Sequence, residues 1–244
     1  MILRAALAWM VMFGLGQAAT CEDVIYADNA YSICTVDMNT ETLHLFLDDD
    51  AGVPYGHFNT LNKALQKSGK TLGFAMNAGM YHEDRSPVGH YVESSEEIMR
   101  VIPNAGPGNF GLLPNGILCL QDKQASVIET LRYLREQPAC TYATQSGPML
   151  VIDGELHPRF LASGTSRYIR NGVGTRDDGN TAIFAISSDI VTFHQFGSFF
   201  RDYIKSDQAL FLDGNVSRLY APQLGRDDIG RRLGPIVGTV VRAN

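Results

Sequence analysis

Five Asn-Gly or Asp-Gly pairs punctuate the chain and divide it into short apolar runs. Both residue types accept the positive backbone dihedrals of tight turns, so such pairs are typical of strands joined by hairpins. The pairs are Asn115-Gly116, Asp153-Gly154, Asn171-Gly172, Asp178-Gly179 and Asp213-Gly214. Together with 24 glycines in 244 residues, they predict a strand-rich fold rather than a helical bundle.

Three segments depart from this pattern, because their apolar residues recur at the spacing of one helix face. They are residues 58–67, with Asn59 or Thr60 as the cap, 126–136 and 192–205. The clearest hairpins are expected over 149–157 and 173–187. Helices scattered among hairpins predict an α+β domain with a mixed or antiparallel β-rich core and three packed helices. No linker or repeat divides residues 20–244, which are expected to form one domain.

Composition narrows the possible partners. Hydrophobic residues make up 45% of the chain, which is ordinary for a soluble globular protein. Twenty Lys and Arg against 26 Asp and Glu give a net charge of −6, and no basic run is present. Nucleic-acid binding requires a basic surface, so a nucleic-acid partner is not expected.

The N-terminus has the pattern of a secretory signal. Arg4 precedes an apolar stretch over residues 5–15, and the small residues of 16–19 follow. The prediction is a signal peptide over residues 1–19, a mature chain starting near Ala19 to Cys21, and a periplasmic or secreted protein. The apolar stretch is too short for the ~20 residues of a membrane span, so no stable membrane anchor is expected. Lipid attachment at Cys21 is the alternative, but residues 18–20 lack the Leu and small residue usual before such a cysteine.

Export affects the interpretation of the four cysteines, because an oxidising compartment favours disulfides. Three pairings are possible. Cys21 and Cys34 flank an expected hairpin, and Cys119 and Cys140 flank an expected helix, so these two local pairs are favoured. Buried free thiols are the alternative. The chain has no Cys-x-x-Cys, so neither a zinc ribbon nor a thioredoxin-like motif is supported.

Several motifs of known protein families are not supported, because the residues around them do not fit or the motif does not occur. Residues 106–111 satisfy G-x-G-x-x-G, but Pro114 and Asn115-Gly116 follow where a dinucleotide fold needs a helix, so a loop is predicted. Gly69-Lys70-Thr71 lacks the first glycine of a phosphate loop. Neither the zincin helix nor the G-x-S-x-G elbow occurs. No cofactor and no metal are predicted.

Four apolar segments run directly into small and polar residues. Small residues let a ligand approach the backbone, and amide, hydroxyl and charged groups bind sugars or phosphate. Each segment alone fits a simple turn, but together they predict strand ends that meet at a polar cleft. The polar residues are Asn77-Ala78-Gly79, Gln145-Ser146-Gly147, Arg170-Asn171-Gly172-Val173-Gly174 and Asp213-Gly214-Asn215-Val216-Ser217.

These segments resemble a known family when they are taken in order with three others, Pro87-Val88-Gly89, Gly108-Asn109-Phe110 and Pro114-Asn115-Gly116. The resemblance is to the phosphodiester glycosidases and covers essentially the whole mature chain. One branch of that family has Asn-Gly-Gly-Phe and Leu-Asp-Gly-Gly-Gly-Ser-Ser, where this chain has residues 77–80 and 212–218. The resemblance implies an exported hydrolase that cleaves the C1–O bond of sugar-1-phosphodiesters, in envelope or exopolysaccharide material.

The reaction implied by the resemblance suggests catalytic and binding roles for individual residues. The departing phosphate monoester is a good leaving group, so the site needs a cation for the phosphate and one or two carboxylates near C1. Arg170 is the expected cation and Asp213 the first carboxylate, while Glu93 and Asp84 compete for the second role. Substrate contacts are expected from Asn77, Gly79, Gln145, Ser146, Gly147, Asn171, Gly174, Asn215 and Ser217.

Other interpretations remain open at this stage. Asp213-Gly214 also fits a type I′ hairpin turn, and Arg170 also fits a surface ion pair. A non-catalytic glycan- or phosphate-binding protein would be favoured by a cleft with one usable carboxylate. A divalent-metal hydrolase would use Asp84, Glu83 and Asp213, and a chelator would identify it.

Overall fold

A computed structural model describes residues 19–176, 179–213 and 216–243, so the predicted signal peptide lies outside the described residues except for Ala19. The described strands are β1 (Thr20–Tyr26), β2 (Asn29–Asp37), β3 (Leu43–Phe46), β4 (Lys70–Asn77), β5 (Tyr91–Glu93), β6 (Glu96–Met99), β7 (Gly116–Gln121), β8 (Gln124–Glu129), β9 (Tyr142–Ser146), β10 (Met149–Ile152), β11 (Glu155–Leu156), β12 (Asn171–Arg176), β13 (Thr181–Ser187), β14 (Gln208–Asp213), β15 (Leu219–Ala221), β16 (Arg226–Asp227) and β17 (Ile236–Arg242). The described helices are α1 (Phe58–Gln66), α2 (Thr130–Glu136) and α3 (Phe193–Ser198), with a π-helical segment Phe199–Ile204 and a 3₁₀ turn Pro222–Leu224.

The strands form three sheets, and every described pair of strands is antiparallel. The strand orders are β1-β2-β13-β12-β14-β10-β11, β16-β15-β4-β17-β3 and β6-β5-β9-β7-β8. One core joins all three, with Phe74, Leu118 and Phe184 each coming from a different sheet. This arrangement confirms the α+β prediction.

The first and third predicted helices are confirmed. Helix α1 packs Phe58 and Leu61 against the second sheet, and its N-cap is His57 rather than Asn59 or Thr60. Helix α3 begins after Thr192, whose hydroxyl accepts from the Gln195 N–H in a capping box. The π-helical segment continues it to Ile204, so the helical stretch covers nearly the predicted range.

The prediction of a helix over 126–136 is wrong in its first part. Residues up to Glu129 belong to β8, because Ala125 and Val127 alternate into the core and pair with β7. The helix begins only after Glu129, whose carboxylate accepts from the N–H groups of Leu131 and Arg132. The apolar residues of a strand followed by a short helix happen to have the spacing expected for one longer helix, which explains the wrong prediction.

Both predicted hairpins and both disulfides are present. Strands β10 and β11 turn at Asp153-Gly154, where both residues have positive φ, and β12 pairs with β13. Cys21 and Cys34 are register partners on β1 and β2 and are bonded to each other. Cys119 of β7 is bonded to Cys140, which follows α2. Within the described ranges, the helices all fall short of the length and apolarity that crossing a membrane requires.

Candidate active site

Ends of strands from all three sheets meet at one place. Asn77 ends β4 and Ser146 ends β9, while Asn171 begins β12 directly opposite Asp213, the last residue of β14. The Asn171 amide donates to Asn77 Oδ1 at 2.9 Å, and the Ser146 hydroxyl donates to the Leu212 carbonyl at 2.7 Å. The sequence therefore identified residues that the fold brings together, although Asn171 stands at the start of a strand and not at its end.

A buried hydrogen-bond network holds the backbone at Asp213. Asn171 Oδ1 accepts from the Asp213 N–H at 3.0 Å, and the Ser217 hydroxyl donates to the Asp213 carbonyl at 2.6 Å. The Arg218 N–H donates to Asn77 Oδ1 at 2.9 Å, which closes the network on the second sheet. We call Asn77, Asn171 and Ser217 the floor. The backbone that carries the Asp213 carboxylate is thereby held in place, which favours a defined position for a reacting group.

The hairpin alternative for Asp213 does not agree with the topology. Strand β14, which ends at Asp213, pairs with β10 and β12, whereas the next strand, β15, pairs with β4 and β16 in another sheet. A two-residue hairpin turn would join neighbouring strands of one sheet. The chain instead passes from one sheet to another after Asp213. Asn215 lies outside the described residues.

A cavity of about 530 Å³ is lined by Asp213, and the rest of its lining is rich in positive charge. The described lining contains the residues Arg85, Arg231 and Arg232, together with His82. Asp213 is its one carboxylate among the described residues. A cavity with one acid and three arginines attracts an anion, and guanidinium groups match the geometry of phosphate.

Tyr81 lies among these charges. Burial raises the pKa of its hydroxyl, the nearby Asp213 raises it further, and Arg85, Arg218 and Arg231 oppose the rise. Its hydroxyl donates to the Arg232 carbonyl at 2.9 Å. Tyr81 therefore interacts electrostatically with Asp213 and also hydrogen-bonds to the backbone of Arg232.

Backbone contacts hold the segment of residues 231–233, which we call the arginine wall. Buried Arg218 donates to the Arg231 carbonyl, Arg232 Nη2 donates to Pro54 O at 3.0 Å, and the Leu233 N–H donates to Gly56 O at 2.7 Å. Arg231 and Arg232 are themselves exposed. The two arginines are therefore exposed on a segment whose backbone is held by hydrogen bonds.

The glycine motif of residues 106–111 forms another side of the cavity. It is a loop, as predicted, and Pro107, Gly108, Asn109 and Phe110 line the cavity. Its two ends approach so closely that a Cβ on Gly111 would lie 2.0 Å from the Gly106 carbonyl oxygen. Asn115 Nδ2 donates to the Phe110 carbonyl at 3.0 Å and anchors the loop. The glycines permit a closed loop instead of a dinucleotide turn.

The structure places Arg170 in the interior and not in the cavity lining. Its side chain is 1% exposed, and its guanidinium donates to the carbonyls of Val191 and Ser166. The guanidinium carbon lies 3.6 Å from the centroid of the Phe193 ring. Burial lowers the pKa of Arg170 to about 10, so it still carries its charge at neutral pH. These contacts support the packing behind the floor, and the surface ion pair considered for Arg170 is not formed.

The two other predicted carboxylates do not line the cavity. Glu93 accepts from the Tyr91 hydroxyl at 2.8 Å, and burial raises the pKa of its carboxyl group. Asp84 is exposed, and hydrogen bonds from the hydroxyl and N–H of Ser86 lower its pKa. Asp84 does stand between His82 and Arg85, which line the cavity.

Other predicted contact residues have structural surroundings. The Gln145 side chain accepts from the N–H groups of His90 and Ile102 and donates to Ile102 O and Thr130 Oγ1, which uses all its hydrogen-bonding capacity. A Cβ on Gly147 would lie 2.6 Å from Asn115 Cβ, and one on Gly174 would lie 2.3 Å from Ser206 Oγ. Gly79 has a φ of 138°. Close packing explains these residues without a ligand.

The sequence analysis missed Tyr81, Arg85, Arg231 and Arg232. Arg231 and Arg232 form a basic pair after the acidic pair at 227–228, and this reversal of charge was the available signal. Among the described residues, no group of three or more His, Cys, Asp and Glu side chains is arranged to hold a metal ion.

Comparison with known proteins identifies the family of the chain. The family described as phosphodiester glycosidase matches residues 70–233, which is well over half of the chain. The chain therefore belongs to the phosphodiester glycosidase family, whose members act on sugar phosphodiesters.

Individual relatives span most of the chain. Uncharacterized protein YigE of Escherichia coli K12 is 29% identical over 205 residues, which are 83% of this chain and 80% of YigE. The catalytic domain of zebrafish N-acetylglucosamine-1-phosphodiester alpha-N-acetylglucosaminidase, auto-inhibited by its pro-peptide, superposes with a TM-score of 0.60 at 11% identity. That match covers 91% of this chain and 81% of the zebrafish chain. An exported protein of Burkholderia pseudomallei K96243 gives a TM-score of 0.57 at 11% identity over 86% of this chain and 74% of its own.

Proposed function

We propose that this protein is an exported hydrolase that cleaves the C1–O bond of sugar-1-phosphodiesters, with the cavity above Asp213 as its active site. The observation that supports this most directly is the pairing of one carboxylate on a rigid floor with three arginines in one cavity. The family of the chain and its cationic cavity both fit a sugar substrate that carries a phosphodiester.

The positive and negative charges of the cavity match the two sides of the C1–O bond that breaks, the phosphate and the anomeric carbon. Arg85, Arg231 and Arg232 bind the phosphodiester and stabilise the phosphate monoester that departs. Asp213 faces the anomeric carbon, where its negative charge stabilises the oxocarbenium-like centre and either attacks that carbon or activates water. A phosphate monoester leaves without full protonation, so one carboxylate is sufficient in this scheme.

Two observations support the proposed export. Two disulfides favour an oxidising compartment, and a structural neighbour is an exported protein. Sugar phosphodiesters of the envelope or of exopolysaccharide are the corresponding substrates outside the cytoplasm.

A binding protein is the second candidate, because the described lining holds a single carboxylate. The two candidates differ in one experiment. Purified protein is incubated with a panel of sugar-1-phosphodiesters, with sugar-1-phosphates and plain glycosides as controls, and the released sugar and phosphate monoester are measured. Release from phosphodiesters alone is expected of the enzyme, whereas binding without release identifies a binding protein.

Substitution of Asp213 by Asn sharpens this test. The change keeps the shape and removes the charge, so kcat is expected to fall at least about a hundredfold while the melting temperature stays near that of the parent. The matched control is Asp122→Asn, in the exposed turn between β7 and β8, which leaves turnover unchanged. Full turnover in a folded Asp213→Asn protein contradicts the proposed role. Loss of turnover on chelation, restored by divalent metal, would instead indicate the metal-dependent hydrolase.

A further inference from the structure

A buried hydroxyl group ties the cavity loop of residues 106–111 to the interior. It belongs to Thr130, the first residue of helix α2, which is 1% exposed. The hydroxyl donates to Asn115 Oδ1 at 2.7 Å and accepts from Gln145 Nε2 at 3.1 Å. Asn115 and Gln145 are buried as well. One hydroxyl group therefore joins two buried side-chain amides.

The two amides hold the chain on opposite sides of the loop. Gln145 Nε2 donates to the Ile102 carbonyl at 2.8 Å, and Gln145 Oε1 accepts from the Ile102 N–H at 3.0 Å. Ile102 lies in the segment that precedes the loop. On the other side, Asn115 Nδ2 donates at 3.0 Å to the carbonyl of Phe110, a residue that lines the cavity. Thr130 thus connects the chain that enters the loop with a residue near the end of the loop.

The chemistry of the three side chains sets the direction of each hydrogen bond. A threonine hydroxyl has one hydrogen, and Gln145 Nε2 can only donate, so the Thr130 hydrogen goes to Asn115 Oδ1. Two backbone N–H groups occupy the Gln145 oxygen and keep its nitrogen toward Thr130. Because Thr130 binds the oxygen of the Asn115 amide, the nitrogen of that amide is presented to the Phe110 carbonyl. The Thr130 hydroxyl therefore fixes which way the Asn115 amide faces.

The hydrogen bonds inside the loop are longer than those that hold it from outside. The Gly106 N–H donates to the Gly111 carbonyl at 3.4 Å, and the Leu112 N–H donates to the Asn109 carbonyl at 3.2 Å. Both distances exceed the usual value of about 2.9 Å. The bond that Asn115 donates to the loop is 3.0 Å. The position of the loop therefore depends on side chains outside it.

We infer that Thr130 is a positioning residue of the cavity. Its hydroxyl holds the 106–111 loop through Asn115, and so sets where the lining residues Pro107 to Phe110 stand relative to a bound phosphodiester. The effect on substrate rests on the proposed function, whereas the effect on the loop does not. Thr130 touches no cavity-lining group itself and acts through Asn115.

A change of Thr130 to Val keeps the shape of the side chain and removes the hydroxyl. The Gln145 N–H and Asn115 Oδ1 then lose their shared partner in the interior, and a buried polar group without a partner is costly. The Asn115 amide is no longer oriented toward the Phe110 carbonyl. Thr130→Ser, in contrast, retains the hydroxyl and its hydrogen bonds.

Thr239 of β17 offers a matched control for the same chemical change. It is 2% exposed, and its hydroxyl has no hydrogen-bond partner among residues 19–176, 179–213 and 216–243. Thr239→Val therefore removes a buried hydroxyl without removing a hydrogen bond, and it lies outside the described cavity lining.

Hydrogen–deuterium exchange of the purified exported protein tests the loop without any substrate. Relative to residues 181–187 of β13, which report global unfolding, residues 106–112 of Thr130→Val should exchange about tenfold faster than in the parent, because the loop opens locally. Thr130→Ser and Thr239→Val should stay within about twofold of the parent. Equal loop exchange in Thr130→Val and Thr239→Val overturns the inference. If Thr130→Val does not fold, the smaller Thr130→Ala is compared with the parent in the same way.

Kinetics on a phosphodiester test the positioning role. Thr130→Val should raise KM by about three- to tenfold and leave kcat within about twofold, since the floor at Asp213 is unchanged. Thr130→Ser should restore the KM of the parent. Faster loop exchange with an unchanged KM overturns the positioning role. If the parent protein turns over no phosphodiester, the proposed function fails, and the exchange comparison still decides whether Thr130 holds the loop.

Discussion

The floor holds the backbone of Asp213, the arginine wall lines the cavity beside Asp213, and the two regions are built differently. The floor residues Asn77 and Asn171 are fully buried, and their side chains contact one another and the backbone. In the wall, Arg231 and Arg232 are exposed, and the hydrogen bonds that hold the segment run to its backbone and from one side-chain nitrogen, Arg232 Nη2. The difference indicates that changes to the floor act on stability first, whereas changes to the wall act on binding.

Asn171→Ala is expected to have the largest effect on stability. It removes the acceptor of the buried Asp213 N–H and the donor to Asn77, so unfolding free energy should fall by about 2–4 kcal/mol. Thermal and urea unfolding measure the loss. Exposed Asn180→Ala is the control and should be near neutral. A stable Asn171→Ala protein that has merely lost substrate affinity would show that the floor binds ligand directly.

The double change Arg231→Ala and Arg232→Ala is the corresponding test of the wall. Loss of two charge-assisted phosphate contacts should lower kcat/KM for a phosphodiester by about 10- to 100-fold, mostly through KM, with little change in Tm. Arg135→Ala, exposed in the last turn of α2, controls for the loss of positive charge. Unchanged kinetics would remove the wall from the substrate site.

Arg170→Lys tests whether Arg170 supports the fold, as the floor does, or binds the substrate, as proposed for the wall. Lysine keeps the charge but loses the planar contact with Phe193 and the paired donors to two carbonyls, so stability should fall by about 1 kcal/mol. KM should remain within about twofold of the parent because the guanidinium does not line the cavity. A tenfold rise in KM with parent stability would restore Arg170 as the anion binder.

Tyr81→Phe should have a small effect, similar in size to that of Arg170→Lys. It removes the hydrogen bond to the Arg232 carbonyl but keeps the ring, at a cost of about 0.5–1.5 kcal/mol. The expected result is a few-fold rise in KM with kcat nearly unchanged. A fall in kcat that equals that of Asp213→Asn would instead place the Tyr81 hydroxyl in the chemical step.

Local pattern was sufficient to predict most of the fold and the floor. The pattern that predicts a strand ending at Asn77 or Asp213 lies within a few consecutive residues. The pattern that predicts a hairpin turn, such as Asp153-Gly154, lies within two. The wall depends on long-range contacts, since Arg231 and Tyr81 are 150 positions apart in the chain. The small residues that follow Arg170 predicted an anion-binding turn. In the structure they instead allow the close packing of β12. Burial, which separates Arg170 from Arg231, is a tertiary property that composition around a residue does not reveal.

The closed base of the 106–111 loop also bears on how this domain can change its preferences. Gly111 lies against Gly106 and does not accept a side chain, whereas a Cβ at Gly106 would meet only the Gly111 Cα, at 4.0 Å. Between them, a Cβ added at Gly108 would meet no atom within 4 Å, although its φ of 66° favours Gly, Asn or Asp. The three-residue tip, Pro107 to Asn109, borders the cavity. Under the proposed function, exchange of this tip would alter which groups attached to the phosphate the cavity accepts.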